Sequence, residues 1–190
     1  AGTQGFSIQS KGDIALEGTK VNSQGNVSLE SLDGDINLTG MKNTDYSYQK
    51  QTWSRKRYGG LVKTNYQSVK ENYDESVDRT TIQANNYSAK AKGDIIKQGS
   101  TIKSNTIYES GENNVEKTME VASLKYNKQK SNSSLNLGIV SISDIKTNEK
   151  EARDRAVINE VNENLATGKI VKNFSGNVLL EGSEIQSSGG

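Results

Sequence analysis

Two groups of side chains in this sequence could carry chemistry. Carboxylates follow turn glycines at Asp13, Asp35 and Asp94, and a cluster of cations and aromatics runs through Trp53, Arg55, Lys56, Arg57 and Tyr58. Carboxylates repeated along one face of a fold, with calcium and a basic residue, could cleave an acidic polysaccharide. However, Asn26 and Asn177 stand where the aspartates stand in other copies of the same motif. An acid that its amide replaces within one chain is structural, so no catalytic residue is expected. Histidine and cysteine are both absent. That removes imidazole bases, thiol nucleophiles, disulfides and the usual zinc or iron ligand sets, so neither a metal site nor a cofactor is expected. No Gly-Gly-x-Gly-x-Asp run offers a repeat-type calcium site either.

The basic and aromatic cluster allows two interpretations. Between Asp45 and Glu71 there is no acid, while Lys50, Arg55, Lys56, Arg57, Lys63 and Lys70 are all cationic. The only tryptophan and five of the eight tyrosines lie in the same region. Flat rings for stacking beside cations suit a glycan, a heparin-like polymer or a single strand of nucleic acid. Alternatively, Glu71, Asp74, Glu75 and Asp78 could neutralise the basic strand across a hairpin, with the aromatics forming cross-strand pairs. The net charge of +1 implies no bulk attraction to nucleic acid or membrane, and no nucleic-acid partner is expected.

The elements that must position these residues come from repetition. Gly12-Asp13-Ile14-Ala15-Leu16-Glu17-Gly18 returns at Gly93 to Gly99 and again as Gly176-Asn177-Val178-Leu179-Leu180-Glu181-Gly182. Each copy continues to a β-branched residue and a serine, as Val21 and Ser23, Ile102 and Ser104, Ile185 and Ser187. Partial copies begin at Gly25 and Gly34. Glycine with φ > 0, an Asx side chain capping the turn and alternating apolar residues predict a tight turn into a short half-buried strand. Strands this short must stack on one another to bury that face, which predicts a parallel β-solenoid. The 22 residues from Gly12 to Gly34 fit about one turn of a three-faced helix.

Composition agrees. There is no proline, where average usage would supply about nine, and proline cannot donate to a neighbouring strand. The hydrophobic fraction of 31% suits a narrow core better than a compact globule. No apolar run is long enough to span a membrane, the Ala1-Gly2-Thr3 start is not a signal peptide, and the chain reads as a piece of something longer.

The Gly-Asp-Ile-x-Leu-x-Gly pattern with its Val/Ile-x-Ser continuation recurs about every 80 residues, separated by polar insertions. In this it resembles the haemagglutinin repeats of filamentous haemagglutinin-like exoproteins, which include adhesins and the effectors of contact-dependent growth inhibition. The resemblance implies an all-β, right-handed parallel β-helix over residues 1–190. It also implies export through an outer-membrane two-partner secretion transporter, location at the bacterial cell surface, and a role in adhesion or toxin delivery. The implied partners are a receptor or glycan on a host cell or a neighbouring bacterium. One departure stands out: Lys97 occupies the place where Leu16 and Leu180 face the expected core. Either the middle copy is shifted so that Ile96 turns inward, or that strand is irregular.

Two insertions, about 45–80 and 117–170, separate the repeat starts near 12, 93 and 176. They are related to each other, since Tyr48 to Gln51 parallels Tyr126 to Gln129 and Gly60-Leu61-Val62 parallels Gly138-Ile139-Val140. The first predicts a hairpin turning at Gly59-Gly60. In the second, Asn148 and Glu151 at capping-box spacing, Val157, Val161 and Leu165 four apart, and Gly168-Lys169 predict a flanking helix near 148–167.

Overall fold

The computed structural model describes residues 4–189; the Ala1-Gly2-Thr3 start lies outside them. The described chain is all-β. Strands β1 (Phe6–Ser10), β2 (Ile14–Glu17) and β3 (Lys20–Asn22) are followed by β4 (Val27–Ser31), β5 (Ile36–Thr39), β6 (Met41–Arg57), β7 (Val62–Asp78) and β8 (Thr80–Gln83). Next come β9 (Asn86–Ala91), β10 (Ile95–Gln98), β11 (Ser100–Ser104), β12 (Thr106–Gly111) and β13 (Asn114–Lys117). The last six are β14 (Met119–Asn136), β15 (Ser141–Glu160), β16 (Asn162–Ala166), β17 (Ile170–Phe174), β18 (Val178–Leu180) and β19 (Ser183–Ser187). Among the described residues no helix is long and apolar enough to cross a membrane.

Setting β6, β7, β14 and β15 aside, the strands fall in turn into three five-stranded sheets, ordered β1-β4-β9-β12-β17, β2-β5-β10-β13-β18 and β3-β8-β11-β16-β19. The strand pairings within these sheets run parallel, and the chain makes five circuits of the same three sheets. Ile14 pairs with Ile36 in register, which is the 22-residue step of the motif. The remaining four strands form a separate sheet in the order β6-β7-β14-β15. Residues 4–43, 76–121 and 158–189 make up one compact unit, and residues 44–75 and 122–157 a second.

The core of the first unit is built of rows, one residue from each circuit. Ile14, Ile36 and Ile95 align, as do Val21, Ile82 and Ile102, and all are buried. Burying them drives the stacking, because a strand of three to six residues has too little apolar surface to be stable alone.

The Gly-Asp motif has a different origin from the expected one. Gly12, Gly34, Gly93 and Gly176 do not adopt positive φ, which belongs instead to the closing glycines Gly18, Gly99 and Gly182. The opening glycines serve close approach. A Cβ at Gly34 would overlap Asp13 Oδ1, one at Gly93 would overlap Asp35 Oδ1, and one at Gly176 would overlap Asn113 Oδ1. Those three oxygens, and Asp94 Oδ1 with them, each accept the backbone N–H of the Asx one circuit on: Asp13 from Asp35 (2.8 Å), Asp35 from Asp94 (2.8 Å), Asp94 from Asn113 (3.1 Å) and Asn113 from Asn177 (2.7 Å). The Asx side chain thus caps the next circuit's turn and not its own. Amide and carboxylate serve equally because only an acceptor oxygen is used.

The closing glycines mark a second regularity. Circuits one, three and five turn the corner between the second and third sheets tightly, at Gly18, Gly99 and Gly182. Circuits two and four leave that same corner as the long hairpins β6/β7 and β14/β15. The repeat of about 80 residues is therefore two circuits and one hairpin.

The flanking helix expected near 148–167 is absent; residues 148–160 lie in β15 and 162–166 in β16. The four-residue spacing of Val157, Val161 and Leu165 is incidental. In β16 it is Asn162, Asn164 and Ala166 that are buried, with period two. An isolated helix with a narrow apolar stripe is marginal, whereas the 18-residue β14 offers a continuous edge for pairing.

Candidate functional sites

Both hairpins turn where the sequence parallels placed their glycines. Positive φ falls at Gly59 (63°) and Gly60 (102°) in the first, and at Gly138 (87°) in the second. Inner strands β7 and β14 pair antiparallel from Val62↔Leu135 to Asp74↔Ser123, bringing both tips to one end of the sheet. Neither face of this sheet is covered; none of its residues between 44 and 75 or between 122 and 157 is buried.

The alternation of strands sorts the binding candidates. Trp53 on β6 stacks on Tyr66 of β7, with ring centroids 5.3 Å apart and planes 6° apart, so both share a face. Arg55 and Arg57, two and four residues on, belong to that face, and Lys56 belongs to the other. Tyr58 lies in the turn, 77% exposed, at φ 53°. Trp53 and Tyr66 border a shallow depression of about 600 Å³ whose lining also includes Gln129, Lys130, Glu149 and Lys150. Lys130 and Lys150 escaped notice in the sequence because they lie on the second hairpin, some 80 residues away.

The aromatics pair across strands, and two of the acids make contacts away from the tip. Glu71 accepts from the Tyr46 hydroxyl (3.2 Å), and Glu75 from the Tyr73 hydroxyl (2.7 Å) and the Ala122 N–H (2.9 Å). Both are far along β7 from the tip. Burial and then Glu71 push the Tyr46 phenol up. On the second hairpin Lys128 pairs with Glu149, which raises the lysine and lowers the carboxyl through their hydrogen bond, and Arg153 lies over the Tyr126 ring at 5.3 Å. Ser131 pairs with Tyr66 and Lys128 with Val69, so Lys128 is rooted on the face opposite Tyr66, while Glu149 also reaches the lining of the Trp53 depression. Among the described residues, Arg55, Lys56 and Arg57 enter no ion pair.

A second cluster is buried in the first unit. Lys97 does turn inward, fully buried, in the row Leu16, Leu38, Lys97, Glu116, Leu180; the strand is neither shifted nor irregular. What makes this possible is the fourth circuit, most of whose inward residues are polar: Glu109, Asn114, Glu116, Asn162 and Asn164 are all fully buried, beside the apolar Ile107 and Ala166. Lysines from the circuits on either side supply the counter-charges. Lys97 Nζ lies 2.9 Å from Glu109 and 2.7 Å from Glu116, while Lys172 Nζ lies 2.7 and 2.6 Å from the same two carboxylates. Two cations and two anions cancel, which meets the condition for burying charge. Burial alone would raise both carboxyls, yet Lys97 and Lys172 hold them below the usual carboxylate range. Burial pushes the Lys97 ammonium down, against the pull of the carboxylates. Asn164 completes the group, accepting from Lys97 Nζ at 2.6 Å and donating to Glu116 Oε2 at 3.1 Å.

Compared with known proteins, the chain matches no family model, no curated protein and no solved structure.

Proposed function

We propose that this chain is a structural and adhesive repeat segment of a secreted, filamentous bacterial surface exoprotein, built as a right-handed parallel β-helix. The observation that carries the reading is the Asx ladder from Asp13 through Asp35, Asp94 and Asn113 to Asn177. It makes the Gly-Asp/Asn repeat a device for joining one circuit to the next, and such a device adds circuits without limit. Right-handedness follows from the strong general preference of parallel crossovers. The ladder also occupies the aspartates that an enzyme would need, so the segment acts by shape and binding, with no chemistry on a substrate.

The exposed sheet supplies the binding half. Trp53 and Tyr66 form a stacking platform flanked by Arg55, Arg57 and Lys150, suited to a sulfated or carboxylated glycan on a target cell. During export the partner would be an outer-membrane two-partner secretion transporter. A stalk or translocation segment of a toxin-delivery protein is the competing role, and it needs no ligand on this sheet.

Retention on heparin and on immobilised glycans across a salt series separates the two roles. Adhesion predicts salt-sensitive retention that is lost in the Arg55→Ala, Lys56→Ala, Arg57→Ala triple variant and weakened by Trp53→Ala. Equal behaviour of the triple variant and the parent would leave the sheet without a glycan role and favour the stalk.

A further inference from the structure

We propose that Lys97 and Asn164 become joined by an intramolecular isopeptide bond between the lysine Nζ and the asparagine Cγ, with Glu116 as the catalytic acid and base.

The geometry brings both reacting nitrogens to one carboxyl group. Lys97 Nζ lies 2.7 Å from Glu116 Oε1, and Asn164 Nδ2 donates to Glu116 Oε2 at 3.1 Å. The 2.6 Å hydrogen bond from Nζ to Asn164 Oδ1 holds the attacking nitrogen beside the amide carbon. All three side chains are fully buried. They are fixed by three strands, the neighbours β10 (Lys97) and β13 (Glu116) in one sheet and β16 (Asn164) in another. Folding therefore holds amine and amide together at an effective concentration that no solution reaction attains.

The burial that makes this cluster costly to assemble also activates it. In a water-poor surrounding, an ammonium–carboxylate pair lies closer in energy to the neutral amine and carboxylic acid than it does in water. The charged and titratable groups facing Lys97 are Glu109, Glu116, Lys172 and the Tyr87 phenol, whose own ionisation is suppressed by burial and by both glutamates. Both lysines touch both glutamates, and what singles out Glu116 is that it also accepts from the Asn164 amide, so it alone reaches both reacting nitrogens.

The step balances without any co-reactant. Lys97 gives one proton to Glu116, and the free amine lone pair attacks Asn164 Cγ, forming the Nζ–Cγ bond. Glu116 takes a second proton from Nζ while the first passes to Nδ2. The Cγ–Nδ2 bond breaks, and ammonia leaves. The products are a neutral secondary amide and a protonated Glu116. The bond would tie the third circuit to the fourth in a chain that has no cysteine with which to form a disulfide.

The test is the intact mass of the purified protein, measured under denaturing conditions, followed by peptide mapping. The expected result is a mass lower than the sequence mass by one ammonia, with the peptide containing Lys97 linked to the one containing Asn164. Glu116→Gln should restore the full sequence mass. Asn164→Asp should still cross-link, now losing water in place of ammonia, an exchange that a purely structural asparagine would not produce. A wild-type mass equal to that of the sequence overturns the proposal and needs no variant to fold. So does ammonia loss that maps to a single unlinked peptide.

Discussion

Gly93→Ala should destabilise the protein by about 1–2 kcal/mol, although glycine-to-alanine changes at ordinary backbone angles are usually stabilising by about 0.4–1 kcal/mol through the unfolded chain. Gly93 has no positive φ, so the backbone itself accepts alanine. The obstacle is that the new Cβ would overlap Asp35 Oδ1, the atom that accepts the Asp94 N–H at 2.8 Å. Moving that carboxylate leaves a part-buried N–H without its partner, at about 1–3 kcal/mol, and the unfolded-state gain offsets part of this. Gly12 holds the same letter in the same motif, yet nothing lies within 4 Å of a Cβ built there, so Gly12→Ala should be neutral or stabilising. Urea unfolding followed by circular dichroism would measure both. A double-mutant cycle isolates the contact: with Asp35→Ala already present, adding Gly93→Ala should cost nothing. The steric reasoning fails if Gly12→Ala costs as much as Gly93→Ala, or if the Gly93→Ala penalty persists without the Asp35 carboxylate.

Gly99→Ala should cost about 1–2 kcal/mol for a different reason, since its φ of 63° lies in the left-handed region. Asparagine there should recover part of the loss in the same urea titration. Glu109→Gln should cost about 3 kcal/mol at neutral pH by removing the counter-charge 2.7 Å from the Lys172 ammonium, which stays charged whether or not Lys97 is cross-linked. Because the folded-state carboxyl of Glu109 is depressed, its contribution is complete above the unfolded value of about 4.3 and fades as pH falls through the folded one. Wild type and variant should thus converge in acid, and a stability difference that stays constant from pH 7 to pH 3 would contradict the ion cluster.

The parts of this fold that could be read in the sequence are those in which one physical cause acts alone. Alternation at Ile14/Leu16, Val27/Leu29, Ile36/Leu38 and Val178/Leu180 marked strands with one apolar face, and the structure forms a strand at each, although Val178 and Leu180 in the last circuit stay exposed. The fourth circuit escaped because its inward positions are Asn114, Glu116, Asn162 and Asn164, which no hydrophobic pattern can flag. Lys97 was visible only as an anomaly, since the residues that make it tolerable, Glu109 and Lys172, come from circuits before and after the hairpin. For the second insertion, local spacing suggested a helix while the deciding partner, β14, lay across the turn. The Trp53 platform was legible as a composition. Its sidedness was not, because the place of Glu149 opposite Lys128 depends on strand register.

The alternation of tight corners at Gly18, Gly99 and Gly182 with hairpins at the same corner has a consequence for how such a chain can lengthen. A hairpin is two strands wide, and adjacent strands are spaced about 4.8 Å apart in every sheet. Two circuits and one hairpin are therefore commensurate. A tandem duplication of about 80 residues preserves both spacings at once, whereas copying a single circuit would set two hairpins, or two tight corners, side by side. The number of circuits should accordingly change by twos, which would make copy number in such a gene a count of paired circuits.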